Sequence, residues 1–271
     1  LLVRHLAKAI LDYYRQYVHF FVQGDLVAQS VLSRLIDGEC EAEDVFQNLM
    51  KGLDWDPEAE FKVCYIPISE ADKRIGSVQY VCHQIELLLQ YVVAFEYSTD
   101  IVLLINHTKM SAAAAESTAQ FDLFLRNSSL KAGLSRPFSG LSQLREYYAQ
   151  AVAALRFGAK GPGDGVIFQF EGVVLDYILD ILSSSLSPES ICNRGLLALR
   201  ELDRSRGTSY LRTLSVYYDT GMNATHSAKA LFINRSTFLE RMTRIRKYVD
   251  TDIDAAPGRL YLMLCLKLLG Y

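Results

Sequence analysis

The chain has 271 residues, half of them hydrophobic, which is enough for more than one domain with a buried core. Its net charge of −3 excludes a uniformly basic protein that binds nucleic acid through overall charge. The five cysteines are far apart and none has metal-ligand spacing, so we expect no metal site and reduced, mostly buried thiols in a cytoplasmic protein. No signal peptide or membrane span is visible, because charged residues interrupt the apolar residues 1–21.

The N-terminal segment, residues 1–57, reads as a helical linker or dimerisation segment. Apolar residues at alternating intervals of three and four predict a helix over residues 1–23: Val3, Leu6, Ile10, Tyr13, Tyr17 and Phe20. Two interpretations stay open, an amphipathic helix that lies on its own domain and a coiled coil between two copies. A second helix is predicted over 25–36, ending at Gly38, and a third near 41–52.

Residues 58–170 alternate between strand and helix patterns. Strands are predicted at 61–68, 91–97, 100–106 and 166–170, and a strand that leads into a loop at 130–140. Helices are predicted at 74–90, 110–126 and 141–158. The order β-α-β-β-α-β-α-β resembles a ferredoxin-like or nucleotide-cyclase-like domain. The fold class is therefore α+β, with N-terminal helices before this middle domain and an all-α domain after it.

The last third of the chain is helical. Residues 171–206 read as a helical connector with one break at Ser187-Pro188, and residues 207–271 as an all-α domain. A helix over 208–219 ends before Gly221. The helix that follows Pro257 is apolar nearly all round, so the rest of the domain or a partner must cover it.

Within that domain, residues 223–249 have the pattern of two helices joined by a tight turn. Asn223 and Asn234 are candidate N-caps, because an Asn side chain accepts hydrogen bonds from first-turn N–H groups. Small and apolar positions recur at helical spacing in both helices: Ala224, Ala228 and Leu231 in the first, and Phe238, Met242, Ile245 and Val249 in the second. This is the helix-turn-helix arrangement, with the second helix presented outward.

The second helix of the pair carries most of the local positive charge. Residues 229–247 contain six basic side chains and one acidic one, a local charge of +5, and the rest of the chain carries −8. An acidic body with one basic helix is typical of a DNA-binding protein that avoids unspecific association. The candidate DNA-binding residues on this helix are Asn234, Arg235, Ser236, Thr237, Leu239, Glu240, Arg241, Thr243, Arg244 and Lys247. Among these, Arg241, Arg244 and Lys247 have the spacing to follow the phosphates.

Two stretches resemble a known family. The segments LRTLSVYYDTGMN and SAKALFINRSTFLERMTRI, with the following Asp252-Ile253-Asp254, resemble the C-terminal helix-turn-helix module of the PucR/CdaR family of bacterial transcription regulators. The segment GLSRPFSGLSQLREYYAQAVAALRFG resembles the GGDEF-like domain that such regulators usually place before this module. INRSTF is also similar to the DNA-reading corner of the bacterial factor for inversion stimulation. Phe232 stands where such turns often have Gly, and Leu239 and Glu240 replace residues that are frequently Arg and aromatic in the family.

The resemblance raises the hypothesis of a diguanylate cyclase, which the residues oppose. Such an enzyme needs a glycine pair in a hairpin and carboxylates that hold two metal ions. The corresponding hairpin reads FEYSTDIV, with no glycine pair and only Asp100 in the turn. We therefore expect no enzyme activity, no catalytic residue and no cofactor.

The sequence predicts a dimeric, sequence-specific transcription regulator that binds a double-stranded DNA operator and controls a metabolic or secondary-metabolite operon. We expect a homodimer, because one recognition helix reads too few bases to compete with the non-specific sites of a genome. The chain begins with Leu rather than Met, so we expect an upstream domain that senses a small-molecule effector to be missing. The alternative is a sensor or interaction protein with a degenerate cyclase-like domain whose helix-turn-helix no longer binds DNA.

Overall fold

The computed structural model describes residues 28–39, 43–69, 77–112, 115–161 and 163–271. The heptad pattern at residues 3–20 lies outside these ranges, as do the ends of several predicted helices. The chain divides into two compact units, with the division between Val174 and Leu175. None of the helices in the described residues is long and apolar enough to span a membrane.

The first unit consists of a mixed sheet with helices on both faces. Its helices are α1 (28–37), α2 (Glu43–Gly52), α3 (Val78–Leu88), α4 (His107–Ala112), α5 (Ala115–Asn127) and α6 (Leu144–Gly158). Its strands are β1 (Glu60–Ile66), β2 (Val92–Tyr97), β3 (Asp100–Asn106), β4 (Ala132–Leu134), β5 (Phe138–Ser139) and β6 (Ile167–Gln169). The predicted order is confirmed except that two helices, α4 and α5, follow β3 and that β5 is an additional short strand; the α+β fold class is confirmed.

Strand β3 lies between β2 and β1 and is buried on both of its faces. The sheet order is β2-β3-β1-β4-β6, with β5 also paired to β1, and only β4 and β6 are parallel. Alternate residues of β3 point to opposite faces, as in any strand. Ile101, Leu103 and Ile105 pack in one core with α3 and α5, whereas Val102 and Leu104 pack in a second core with α1, α2 and α6. The continuous apolar run of this strand thus serves two layers.

The glycine-serine segment that begins in β4 allows α6 to lie close to the sheet. A Cβ atom on Gly133 would be 2.0 Å from the carbonyl oxygen of Ala151 on α6, so only glycine fits there. The fully buried Ser135 hydroxyl accepts a hydrogen bond from the Val63 N–H at 2.9 Å and donates to the Arg136 carbonyl at 2.8 Å. These contacts hold the segment against α6 and β1.

The β2–β3 hairpin has a structural role where a cyclase would bind nucleotide. Ser98 and Thr99 both have positive φ, 49° and 77°, as a tight two-residue hairpin turn requires. The Asp100 carboxylate accepts hydrogen bonds from the Tyr65 hydroxyl at 2.7 Å and the Ile68 N–H at 2.9 Å. Both carboxylate oxygens of Asp100 are therefore used to hold β1 and β3 together.

The second unit is entirely helical in its described residues. Its helices are α7 (Val174–Ser185, which starts at the boundary), α8 (Pro188–Ile191), α9 (Arg194–Arg206), α10 (Tyr210–Asp219), α11 (Ala224–Ala230), α12 (Arg235–Tyr248) and α13 (Ala256–Leu268). One core joins α9 to α13. The expected boundary at residue 207 therefore falls inside this unit, because Leu196 and Leu199 of α9 belong to the same core as α12.

Some predicted bounds are wrong. The strand predicted at the start of 130–140 spans Ala132–Leu134, and the predicted loop after it contains a second short strand, β5. The helical stretch 171–200 has a second break at Cys192-Asn193, where the Asn193 side chain accepts hydrogen bonds from the Gly195 and Leu196 N–H groups and starts a new helix. The four cysteines that the structure describes are buried, as expected.

Candidate nucleic-acid interface

Helix α11 begins as its sequence predicts. The Asn223 side chain accepts hydrogen bonds from the N–H groups of Thr225 at 3.0 Å and His226 at 3.1 Å. Ala228 is buried in the core of the unit, and Ala224 and Leu231 pack against that core. The small residues thus let α11 lie close against its neighbours, as predicted.

The turn between α11 and α12 is a Schellman motif with Phe232 in the glycine position. The Ile233 N–H bonds to the Ala228 carbonyl at 3.0 Å and the Phe232 N–H bonds to the Lys229 carbonyl at 3.1 Å, which is the hydrogen-bond pair of that motif. Phe232 has φ +55° and its residue surface is 95% exposed. A left-handed conformation costs a residue with a side chain about 1–2 kcal/mol. The structure thus confirms that Phe232 occupies a position suited to Gly.

Helix α12 is fixed by its apolar stripe. Phe238, Met242, Ile245 and Val249 are all buried, as predicted, and the Phe238 ring lies 5.9 Å from that of Tyr217 on α10. The opposite side of α12 consequently faces solvent. The exposed residues there include Arg235, Ser236, Leu239, Glu240, Thr243, Arg244 and Lys247.

The start of α12 differs from expectation at Asn234. This residue occupies the N-cap position with an extended backbone, φ −68° and ψ 149°, but its side chain makes no capping hydrogen bond. The prediction that its side chain caps α12 is therefore wrong. The exposed Asn234 amide and the first-turn N–H groups without a side-chain cap are left at the helix end, where the helix dipole favours an anion.

Two arginines of α12 are held in place by hydroxyl groups of α10 and the turn before it. Arg241 donates hydrogen bonds to the Ser209 hydroxyl at 2.8 Å and the Thr213 hydroxyl at 3.2 Å. Arg244 donates to the Tyr210 hydroxyl at 2.8 Å and lies over the Tyr210 ring, 6.0 Å from its centroid. Neutral hydroxyls orient a guanidinium group but leave its charge intact. Among the described residues, neither arginine forms an ion pair with a carboxylate.

Arg246, on the same helix, is neutralised instead. Its guanidinium group lies 2.9 Å from the Asp254 carboxylate, which also accepts a hydrogen bond from the Tyr217 hydroxyl at 3.0 Å. Asp252, the other acid of the D-x-D motif, accepts hydrogen bonds from the Asp254 and Ala255 N–H groups, and these lower the pKa of its carboxyl. The motif therefore shapes the loop between α12 and α13 and removes one positive charge from α12.

The remaining candidate residues differ in exposure and in whether their side chains already form a hydrogen bond. Thr237 is half-buried, and the Thr243 hydroxyl donates to the Leu239 carbonyl one turn back at 2.9 Å. Leu239 is 43% exposed and Glu240 is exposed, so both face outward as predicted. Arg235 and Lys247 are also exposed.

The sequence did not reveal the residues that support this surface. Asp203 on α9 accepts hydrogen bonds from the Thr208 hydroxyl at 2.7 Å and from the Tyr210 and Leu211 N–H groups at 2.8 and 2.9 Å. It thus caps α10 from the preceding helix and fixes the turn that contains Ser209. A Ser or Thr before an apolar helix suggests a cap, but the residue pairs here become visible only in the fold.

Among the described residues, the core of the second unit covers one face of the last helix. Leu262, Cys265 and Leu266 are buried in the core of the unit. Leu260, 72% exposed, and Met263, 40% exposed, point away from it. The expectation that this apolar helix is covered is therefore confirmed for one of its faces.

Comparison with known protein families agrees with this architecture. Residues 210–268 match the family model of the PucR C-terminal helix-turn-helix domain, and residues 37–157 match that of the GGDEF-like domain. The chain is therefore a helix-turn-helix protein with a GGDEF-like domain ahead of the module. Both domains are those that its motifs predict for a regulator of the PucR/CdaR type.

Individual relatives are distant. The carbohydrate diacid regulator of Escherichia coli (strain K12) is 24% identical over 138 residues, and the alignment covers 51% of this chain and 35% of that protein. A crystal structure of a regulator of polyketide synthase expression from Bifidobacterium adolescentis matches over 90% of this chain and 97% of that chain, with 15% identity and a TM-score of 0.40.

Proposed function

We propose that this chain is a sequence-specific, DNA-binding transcription regulator. The observation that carries the proposal is the state of Arg241, whose guanidinium group is oriented by two hydroxyls yet keeps its charge. Holding a cation in place without neutralising it suits a phosphate partner, since the charge-assisted hydrogen bonds form without a loss of side-chain freedom. The match to the PucR helix-turn-helix domain supports the same conclusion.

The surface of α12 suggests which residues contact bases and which contact phosphates. Asn234, Arg235, Ser236 and Thr237 stand at the helix end that enters a major groove first, where side chains reach base edges. Leu239 offers an apolar contact for a thymine methyl group, and Glu240 an acceptor for the amino group of cytosine. Arg241, Thr243, Arg244 and Lys247 lie further along the helix and contact the phosphates in this proposal.

The regulator acts as a homodimer in the cytoplasm, and a small molecule sensed upstream changes the spacing of two recognition helices. Dimerisation is proposed because one helix contacts too few bases to compete with the unspecific sites of a genome. An effector shifts operator affinity only through its different affinity for the two spacings. The controlled operon is of a metabolic or secondary-metabolite type in this proposal.

The proposal is tested by footprinting on the upstream region of the gene that encodes the chain. The expected result is a protected site with two half-sites at low salt, with sedimentation giving two chains per duplex. Arg235→Ala should abolish the protection, since this exposed arginine stands at the first turn of α12. Equally poor binding by wild type and variant at low salt would instead favour a sensor or interaction protein that has lost DNA binding.

A further inference from the structure

Phe232 combines two features that folding alone disfavours. Its surface is 95% exposed, so its ring contributes almost no burial to the second unit. Its backbone is left-handed, φ +55°, where glycine carries no steric cost. A single exposed apolar side chain is ordinary on a protein surface. An exposed aromatic ring that is also held in a strained backbone conformation is a stronger indication of function.

The position of Phe232 connects it with the proposed DNA-binding surface. It lies two residues before Asn234, the N-cap of α12, and three residues before Arg235. Lys229, on the preceding helix turn, is exposed as well. Phe232 therefore lies in sequence between two exposed cations, Lys229 and Arg235, next to the start of α12.

We propose that Phe232 is a further DNA-contacting residue, which packs against apolar groups that line the major groove. Such groups are the 5-methyl group of thymine and the carbons of deoxyribose. The inference rests on the proposed DNA-binding function and adds an uncharged contact to it. Because the Schellman turn fixes the backbone at Phe232, the ring is presented without a loss of backbone freedom on binding.

The test separates folding from binding through Phe232→Gly. Glycine relieves the left-handed backbone, so the urea midpoint of the variant should be equal to or higher than that of wild type. Its affinity for a duplex selected from random sequence by wild type should nevertheless fall roughly three- to tenfold, the range expected for losing one or two buried methylene equivalents. Phe232→Tyr keeps the ring and should bind like wild type.

Two further readouts identify the contact. Loss of an apolar contact leaves the salt dependence of binding unchanged, whereas Arg241→Ala, which removes a proposed phosphate contact, should lower its slope by about one. Replacing each thymine by uracil removes the methyl groups in turn. A replacement that weakens wild type but not Phe232→Gly indicates a thymine contact. If Phe232→Gly weakens binding but no replacement affects wild type, the ring packs against deoxyribose.

The failures are distinguishable. Wild-type affinity of Phe232→Gly on every duplex, together with weakened binding of Arg235→Ala, overturns the role of Phe232 and leaves the proposed function standing. Absence of any selected duplex overturns both.

Discussion

Removing the carboxylate of Asp203 should loosen the start of α10 and, with it, the DNA-binding surface. Asp203→Asn keeps the oxygen that accepts from the Thr208 hydroxyl and the Tyr210 N–H, but turns an amide group toward the Leu211 N–H. Asp203→Ala removes all three acceptor contacts. The turn between α9 and α10 contains Ser209, to which Arg241 donates a hydrogen bond, so the effect extends to α12.

The size of the effect follows from the hydrogen bonds that are lost. A hydrogen bond to a charged group contributes about 1.5–3 kcal/mol, and loss of an N-cap costs about 0.5–2 kcal/mol. The site is only partly buried, so water replaces part of what is lost. We therefore expect the unfolding free energy to fall by about 1 kcal/mol for Asp203→Asn and about 2 kcal/mol for Asp203→Ala.

The two units allow a clean assay. The single tryptophan, Trp55, is buried in the first unit, so its fluorescence reports the unfolding of that unit. Helices of both units contribute to far-UV circular dichroism, so the unfolding of the second unit in urea is read from the part of that signal that does not follow the tryptophan transition. The expected result is a lower urea midpoint by circular dichroism with an unchanged tryptophan transition. Asp219→Asn, an exposed site on α10, makes the same change in charge and serves as control.

An Asp203→Ala variant that unfolds like wild type in the helical signal would contradict the stabilising role of Asp203. Equal destabilisation by Asp219→Asn would also contradict that role, because the effect would then arise from net charge. Reduced DNA affinity of Asp203→Ala, with Asp219→Asn unaffected, is expected as the functional consequence.

Three other predictions concern the fold. Gly195→Ala should lower the free energy of unfolding by about 2 kcal/mol or more, because its Cβ would lie 2.1 Å from the Tyr248 carbonyl oxygen. Gly172→Ala, whose Cβ would lie in open space, should change it little. Equal urea midpoints for the two variants would contradict the close approach at Gly195. The pKa of Asp252 is lowered in the folded state, so its stabilisation is full above the ordinary carboxyl pKa of about 3.9 and is lost as pH falls through the lowered value. The urea midpoint of wild type should therefore be higher than that of Asp252→Asn at neutral pH, and this difference should shrink in acid. A difference that stays the same at acidic pH would contradict the prediction. Burial raises the pKa of the Cys64 thiol to about 12, and the other three described cysteines are buried as well. In a Cys40→Ser variant, which leaves only these four thiols, iodoacetamide should therefore modify them only when the protein unfolds. Fast modification of the folded protein would contradict their burial.

Periodicity predicted the parts of this structure that depend on burial. The stripe from Phe238 to Val249 was visible because one helix face repeats every three or four residues, and the hairpin was visible because two apolar runs flank Ser98 and Thr99. Asn223 capped its helix as its residue type suggests, whereas Asn234 did not. Residue type gives a capping preference, but the side-chain orientation depends on the surrounding turn.

The sequence alone could not predict which group each arginine of α12 contacts. Arg241, Arg244 and Arg246 are equal in charge and close in sequence, yet the first two contact hydroxyls and the third a carboxylate. Ser209 is 32 residues from Arg241, so no local pattern connects them. The exposed Leu260 on α13 is a similar case, since composition predicted an apolar helix but not which face the core would leave open.

The central claim is that α12 binds DNA through arginines that the fold orients but leaves charged. Fluorescence anisotropy with a selected duplex should compare Arg241→Ala with Arg246→Ala, which remove the same charge from the same helix. The expected result is a loss of about tenfold or more for Arg241→Ala, as for a lost phosphate contact, and little change for Arg246→Ala, whose charge is already neutralised by Asp254. Equal losses for the two variants, or no loss for Arg241→Ala, would contradict the claim.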